Sequence, residues 1–195
     1  MGIFYRDSLE NQSITWEHVI DDINSKDYYN PYCFTSNYYE IFINIIFSLL
    51  LEEEVILLDS DFSNEEKVKL TGYQDYSYFN KKIDYSKIRK IDNKNKLLDV
   101  IKRENKNWKI TLYTSGTTGL PKKVSHSFES ITRFVKITSN KKNDTWGYAY
   151  NPSHIAGVQV FFQALLNGNS IIRLFGLPKE KIYREIETNN ITNIS

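Results

Sequence analysis

The stretch IFINIIFSLLL, residues 41–51, is apolar on nearly every side and is interrupted only by Asn44 and Ser48. A helix without a polar face has to be covered all round. Asn37 is a suitable N-cap, so the pattern predicts a helix over 38–52. It is too short for a membrane span, which takes about 20 residues. CFTS at 33–36 precedes it and EVILLD at 54–59 follows it; both read as strands, the second buried. Strand, apolar helix and apolar strand make a βαβ unit, and such a unit implies a parallel sheet covered on both faces.

The same alternation continues. SNEEKVKL carries a capping box, Ser63 with Glu66, for a short helix. LLDVIKREN reads as a helix, WKITLYT as a strand, and KKVS as a short strand. In FESITRFVKITS, residues Ile131, Phe134, Val135 and Thr138 fall at helical spacing. TWGYAYN is a strand, SHIAGVQVFFQALLNGN a helix stopped by Gly168, and SIIRLF a buried strand. PKEKIYREIETNN starts a helix at Pro178, and ITNIS begins a last strand. Together these predict an α/β fold, a mainly parallel sheet with helices on both faces. The opening MGIFYRDSLE is charged and has no apolar core, so no signal peptide is expected.

Composition narrows the function. The formal net charge of the 195 residues is +1, which gives no global attraction to nucleic acid or membrane. Seven basic and two acidic residues crowd 81–96, but few aromatics are interleaved with them. That run reads as a solvated connection, and no nucleic acid partner is expected. The lone Cys33 forms no internal disulfide and suits a reducing compartment, hence the cytoplasm. With three histidines (His18, His126 and His154) and no Cys/His cluster, no metal site is expected among these residues.

After the strand WKITLYT comes TSGTTGLPK, residues 114–122. Seven of its nine residues are small donors, glycines or lysine, where a plain turn needs one or two. Gly116 and Gly119 allow consecutive amides to face an anion. Thr114, Ser115, Thr117 and Thr118 add hydroxyls, and Lys122 adds a cation. A polyphosphate calls for this mixture. It is not the P-loop of nucleotide triphosphatases, which needs Gly-Lys-Ser/Thr after its second glycine. Here Gly119 is followed by Leu120 and Pro121.

YTSGTTGLPKKVSHS resembles the phosphate-loop signature of the adenylate-forming enzymes: acyl-CoA and aryl-CoA synthetases, peptide-synthetase adenylation domains and luciferases. Residues 114–122 match its pattern, Ser/Thr-Ser/Thr-Gly-Thr-Thr-Gly-x-Pro-Lys, position by position; Lys123 stands where the family usually has Gly. YNPSHIAGVQVFFQALLNGNSII resembles the family's next segment, in the form seen in o-succinylbenzoate-CoA ligase and other carboxylate-CoA ligases. SITWEHV resembles its N-terminal strand-and-helix opening. The resemblance is strong over 108–195 and fainter over 1–107.

The resemblance implies ATP, Mg²⁺ and CoA or a carrier thiol as cosubstrates, with a carboxylic acid converted to an acyl-adenylate. Thr114, Ser115, Gly116, Thr117, Thr118, Gly119 and Lys122 would hold the β- and γ-phosphates. His154 would border the acyl pocket. Gly157, one helical turn on, would either leave room for the acyl group or allow close helix packing. His126 has no matched role. The family's aromatic-Gly-x-Thr-Glu motif, ribose-binding Asp, hinge and C-terminal lid with its catalytic lysine have no counterpart in 1–195. The expectation is therefore a partial N-terminal AMP-binding domain that does not complete the ligation alone. Three explanations fit: a piece of a longer enzyme, half of a split enzyme, or a non-catalytic anion- or partner-binding module. A complementary C-terminal polypeptide, or self-association through an open sheet edge at ITNIS, is the expected partnership.

Overall fold

The helix that needs cover on every side lies at the centre of the molecule. The computed structural model describes all residues except 1, 86, 87, 89, 104, 106 and 115–120, and the side chain of 139. Its strands are β1 (Ile3–Asp7), β2 (Gln12–Thr15), β3 (Tyr28–Tyr29), β4 (Tyr32–Cys33), β5 (Val55–Leu57), β6 (Lys81–Lys82), β7 (Lys109–Thr114), β8 (Lys122–Ser127), β9 (Thr145–Tyr148), β10 (Ser170–Arg173) and β11 (Asn193–Ile194). Its α-helices are α1 (Trp16–Ser25), α2 (Tyr38–Leu51), α3 (Asn64–Thr71), α4 (Lys94–Arg103), α5 (Phe128–Thr132), α6 (Ile155–Asn167) and α7 (Lys179–Thr188).

The α/β class and mainly parallel pairing hold, but the strands divide between sheets. One sheet has the order β11-β9-β10-β1-β2, another β4-β5-β7-β8, and β3 pairs with β6 alone. Five of the eight pairings among the described residues are parallel. Periodicity marks a strand as buried without saying which sheet it joins. The βαβ unit is β4–α2–β5, with Cys33 paired to Leu57 in parallel.

Helix α2 touches both large sheets. Phe42 meets Tyr5 of β1 at 5.5 Å and Tyr148 of β9 at 5.3 Å between ring centroids. It stacks on Phe161 of α6 at 4.5 Å. On the other side the helix packs against β5. Its two polar interruptions are satisfied inside. Asn44 donates to the Asn30 carbonyl at 3.2 Å, and the Ser48 hydroxyl accepts from the Trp108 indole at 2.7 Å. Asn37 caps the helix by accepting from the Glu40 amide, and Glu52 ends it in the left-handed region.

The opening residues, read in the sequence only for a signal peptide, form β1, which lies between β10 and β2 with Phe4 and Tyr5 fully buried. One expectation needs correction. The helix expected through FESITRFVKITS stops at Thr132. Beyond it, side chains of α6 capture the backbone: Gln163 and Asn167 donate to the Lys136 carbonyl, and Gln163 accepts from the Lys136 amide. These tertiary bonds replace helical ones. They leave Phe134 and Ile137, 72% and 51% exposed, outside the inner face that spacing alone assigned to Phe134.

Candidate functional site

Parallel strands bring their carboxyl ends to one edge of a sheet, where α/β proteins bind ligands. β5 and β7 are parallel neighbours with Leu57 opposite Leu112. Asp59 and Thr114 each lie two residues beyond that pair, so both reach the same edge. β7 then turns back as β8 with Thr114 opposite Lys122. Seven residues of sequence, 115–121, join the two strands, more than the two to five of an ordinary hairpin connection.

Of the expected phosphate-binding residues, Ser115, Gly116, Thr117, Thr118 and Gly119 lie outside the described residues. Thr114 and Lys122 flank them, and the Thr114 hydroxyl donates to the Lys122 carbonyl at 3.5 Å. Lys122 and Lys123 are exposed, and neither has an ion-pair partner among the described residues. Tyr113 anchors the strand, packed in a small cluster with Ile56 and Leu58. Lys122 and Lys123 open β8 next to the signature segment; as successive strand residues they point to opposite faces, so one of the two ammonium groups can serve either face.

His154 reaches this edge from the other sheet. It is the N-cap residue of α6, but its side chain makes no capping bond. Its Nε2 lies 3.0 Å from Asp59 Oδ2. Asn151 Nδ2 donates to the same oxygen at 3.1 Å, and the Ser153 hydroxyl lies 3.3 Å away. The other carboxylate oxygen accepts from the Asp61 amide at 3.0 Å. Sequence reasoning did not single out Asp59. The available signal was an acid ending a buried parallel strand, which is where such edges bind.

Gly157 is buried against the segment 148–151. A Cβ there would stand 2.3 Å from the Asn151 carbonyl oxygen and 2.7 Å from the Tyr148 hydroxyl. Of the two roles weighed for this glycine, these contacts are those of close packing. A cleft of about 340 Å³ opens on another face of α6, lined by Ile131, Trp146, Tyr150, Ala156, Val160 and Ser195. His126 lies in β8 opposite Ile110, away from the turn. Cys33 is buried, and burial pushes its thiol up to about 12, so it is no nucleophile.

Mg²⁺ in nucleotide sites is held largely by the substrate's phosphates and water, with one or two protein carboxylates, so it needs no dedicated protein cage. Among the described residues no group of three His, Cys, Asp or Glu side chains could hold a metal ion. The carboxylate at this edge, Asp59, already has both oxygens occupied by protein donors.

The chain is similar to several known proteins. The 2-succinylbenzoate–CoA ligase of Listeria monocytogenes serotype 4b is 31% identical over 88 residues, 43% of this chain and 19% of that protein. The ligase of the same name from Bacillus licheniformis is 28% identical over 86 residues, 42% of this chain and 18% of that protein. The fold is that of the Bacillus subtilis O-succinylbenzoate coenzyme A synthetase solved with AMP. The TM-score is 0.65 at 17% identity, over 98% of this chain and 57% of that one. A luciferase-like enzyme from the mealworm Zophobas morio gives a TM-score of 0.65 at 17% identity, over 98% and 55%. The chain thus matches less than a fifth of these curated relatives and a little over half of the solved chains. The family model described as AMP-binding enzyme matches residues 45–195, well over half the chain, and the protein belongs to that family.

Proposed function

We propose that this chain is the N-terminal portion of an ATP-dependent carboxylate–CoA or acyl-carrier ligase that activates an acid as its adenylate. One observation carries the reading: Thr114 and Lys122, which flank the signature segment, lie at the same sheet edge as Asp59 and His154. In the reaction a carboxylate oxygen bonds to the α-phosphorus of ATP, and the bond to pyrophosphate breaks. Charge builds on the departing phosphates, and fixed donors stabilise it without reorganising. Thr114, Lys122 and residues 115–119 hold those phosphates. His154 borders the acid, and the cleft beside Tyr150 and Ala156 takes its acyl body. Gly157 lets α6 approach closely enough to bring His154 to the edge. Mg²⁺ would be held chiefly by the ATP phosphates, its charge offsetting theirs.

Adenine and ribose contacts, the lid lysine and the CoA site belong either to the rest of a longer enzyme or to a complementary C-terminal polypeptide. The outer edge of β11 has no strand partner among the described residues, and Ile194 beside it is 55% exposed. That edge is where such a polypeptide, or a second copy of the chain, pairs. The test is acid-dependent ATP–pyrophosphate exchange with a panel of aryl and alkyl acids. The chain alone is expected to give none, and mixing with a family C-terminal polypeptide to restore it. Normal exchange by the chain alone would overturn the partial-domain reading. ATP binding without exchange in any mixture would favour a non-catalytic anion-binding module.

A further inference from the structure

At the carboxyl edge three side chains converge on one oxygen, Asp59 Oδ2. An ionised carboxylate only accepts, so whatever faces it must donate. The surrounding bonds assign the protons. Asn151 Oδ1 accepts from the Ser153 amide at 2.9 Å and from the Ser153 hydroxyl at 2.8 Å. This fixes the Asn151 amide with its NH₂ toward Asp59. The single Ser153 hydroxyl proton goes to the nearer oxygen, at 2.8 rather than 3.3 Å. Asp59 Oδ2 is left with two firm donors, Asn151 Nδ2 and His154 Nε2.

We propose that Asp59 is a positioning residue for His154, holding the imidazole in one orientation with Nε2–H bound and Nδ1 free toward the edge. The side chain of His154 is 59% exposed, while that of Asp59 is 14% exposed. A ring so exposed at a helix N-terminus, with no capping bond of its own, would otherwise sample several rotamers. Asn151 already ties the β9–α6 connection to Asp59, so the histidine is not needed for that tie. An exposed ion pair adds little stability, and the His154 bond therefore acts on orientation. Nδ1 has no protein partner among the described residues and is the ring atom left to meet what enters. Its value to the reaction rests on the reading of His154 as an acyl-site residue; its geometry does not.

The experiment uses the 195-residue chain with ¹⁵N-labelled histidine. Long-range ¹H–¹⁵N spectra report the His154 Nε2–H proton and its exchange with water, and side-chain couplings report its rotamer. The wild-type chain is expected to show a protected Nε2–H and one rotamer. Asp59→Ala loses both. Asn151→Ala, which removes a strut and leaves the His154–Asp59 bond, retains the signal. An unchanged His154 signature in Asp59→Ala would overturn the proposal. So would equal losses in Asn151→Ala and Asp59→Ala, because that pattern belongs to a purely structural knot. No ligase activity enters these readouts, so failure of the ligase reading and failure of this one are separable.

Discussion

Each large sheet ends its parallel strands in an aspartate paired with a base, and the two pairs differ in kind. At the end of β1, Asp7 meets Arg173 of β10 at 2.8 Å, with side chains 1% and 13% exposed. At the other edge, Asp59 meets His154 at 3.0 Å, with side chains 14% and 59% exposed. Asp7 also accepts from the Tyr5 hydroxyl and from the Leu9 and Glu10 amides, and Arg173 lies 4.1 Å over the Tyr38 ring. Both Asp7 oxygens accept from protein donors, and Arg173 also donates its Nε to the Phe175 carbonyl. The Asp59 pair leaves His154 Nδ1 without a partner among the described residues, at the edge where Thr114 and Lys122 flank the signature segment. The first pair is buried and locks strands; the second is accessible and available for chemistry.

The comparison is most readily broken at Arg173. Arg173→Met leaves Asp7 charged and buried without its cation, which costs about 3–5 kcal/mol. Chemical denaturation should show the loss, and a change below about 1 kcal/mol would mean that the pair is not structural. Gly157→Ala comes next. The new methyl meets the Asn151 carbonyl and the Tyr148 hydroxyl, and such overpacking costs about 1–3 kcal/mol. It should also disturb the His154 resonances, because the 151–154 turn has to give way. The smallest effect belongs to His154→Ala, which should alter stability by less than about 1 kcal/mol, as exposed pairs do. A larger loss would assign the Asp59 pair to the structural class of the first.

Much of the frame was legible in the sequence because it follows from side-chain patterning. The apolar run at 41–51 demanded a buried helix, and Asn37, Ser63 with Glu66, and Gly168 marked helix ends that the structure places at α2, α3 and α6. What escaped depends on contacts distant in sequence. β1 is short and mixed in polarity, and only its neighbours β2 and β10 make it an inner strand. Helix α5 ends where Gln163 and Asn167, some thirty residues on, bind its exit. His154 stood out as part of a motif. Asp59 became visible only when the chain folded residues 95 positions apart into a hydrogen bond.

The central claim is that the turn after β7 holds phosphate. Titrating ATP into the ¹⁵N-labelled chain tests it most directly. Amide shifts should centre on Thr114, Lys122 and Lys123 and spread to the His154 turn. Lys122→Ala should weaken binding about tenfold or more, the loss of one charge-assisted bond. Shifts centred on the basic run 81–96, or affinity indifferent to Lys122, would contradict the account.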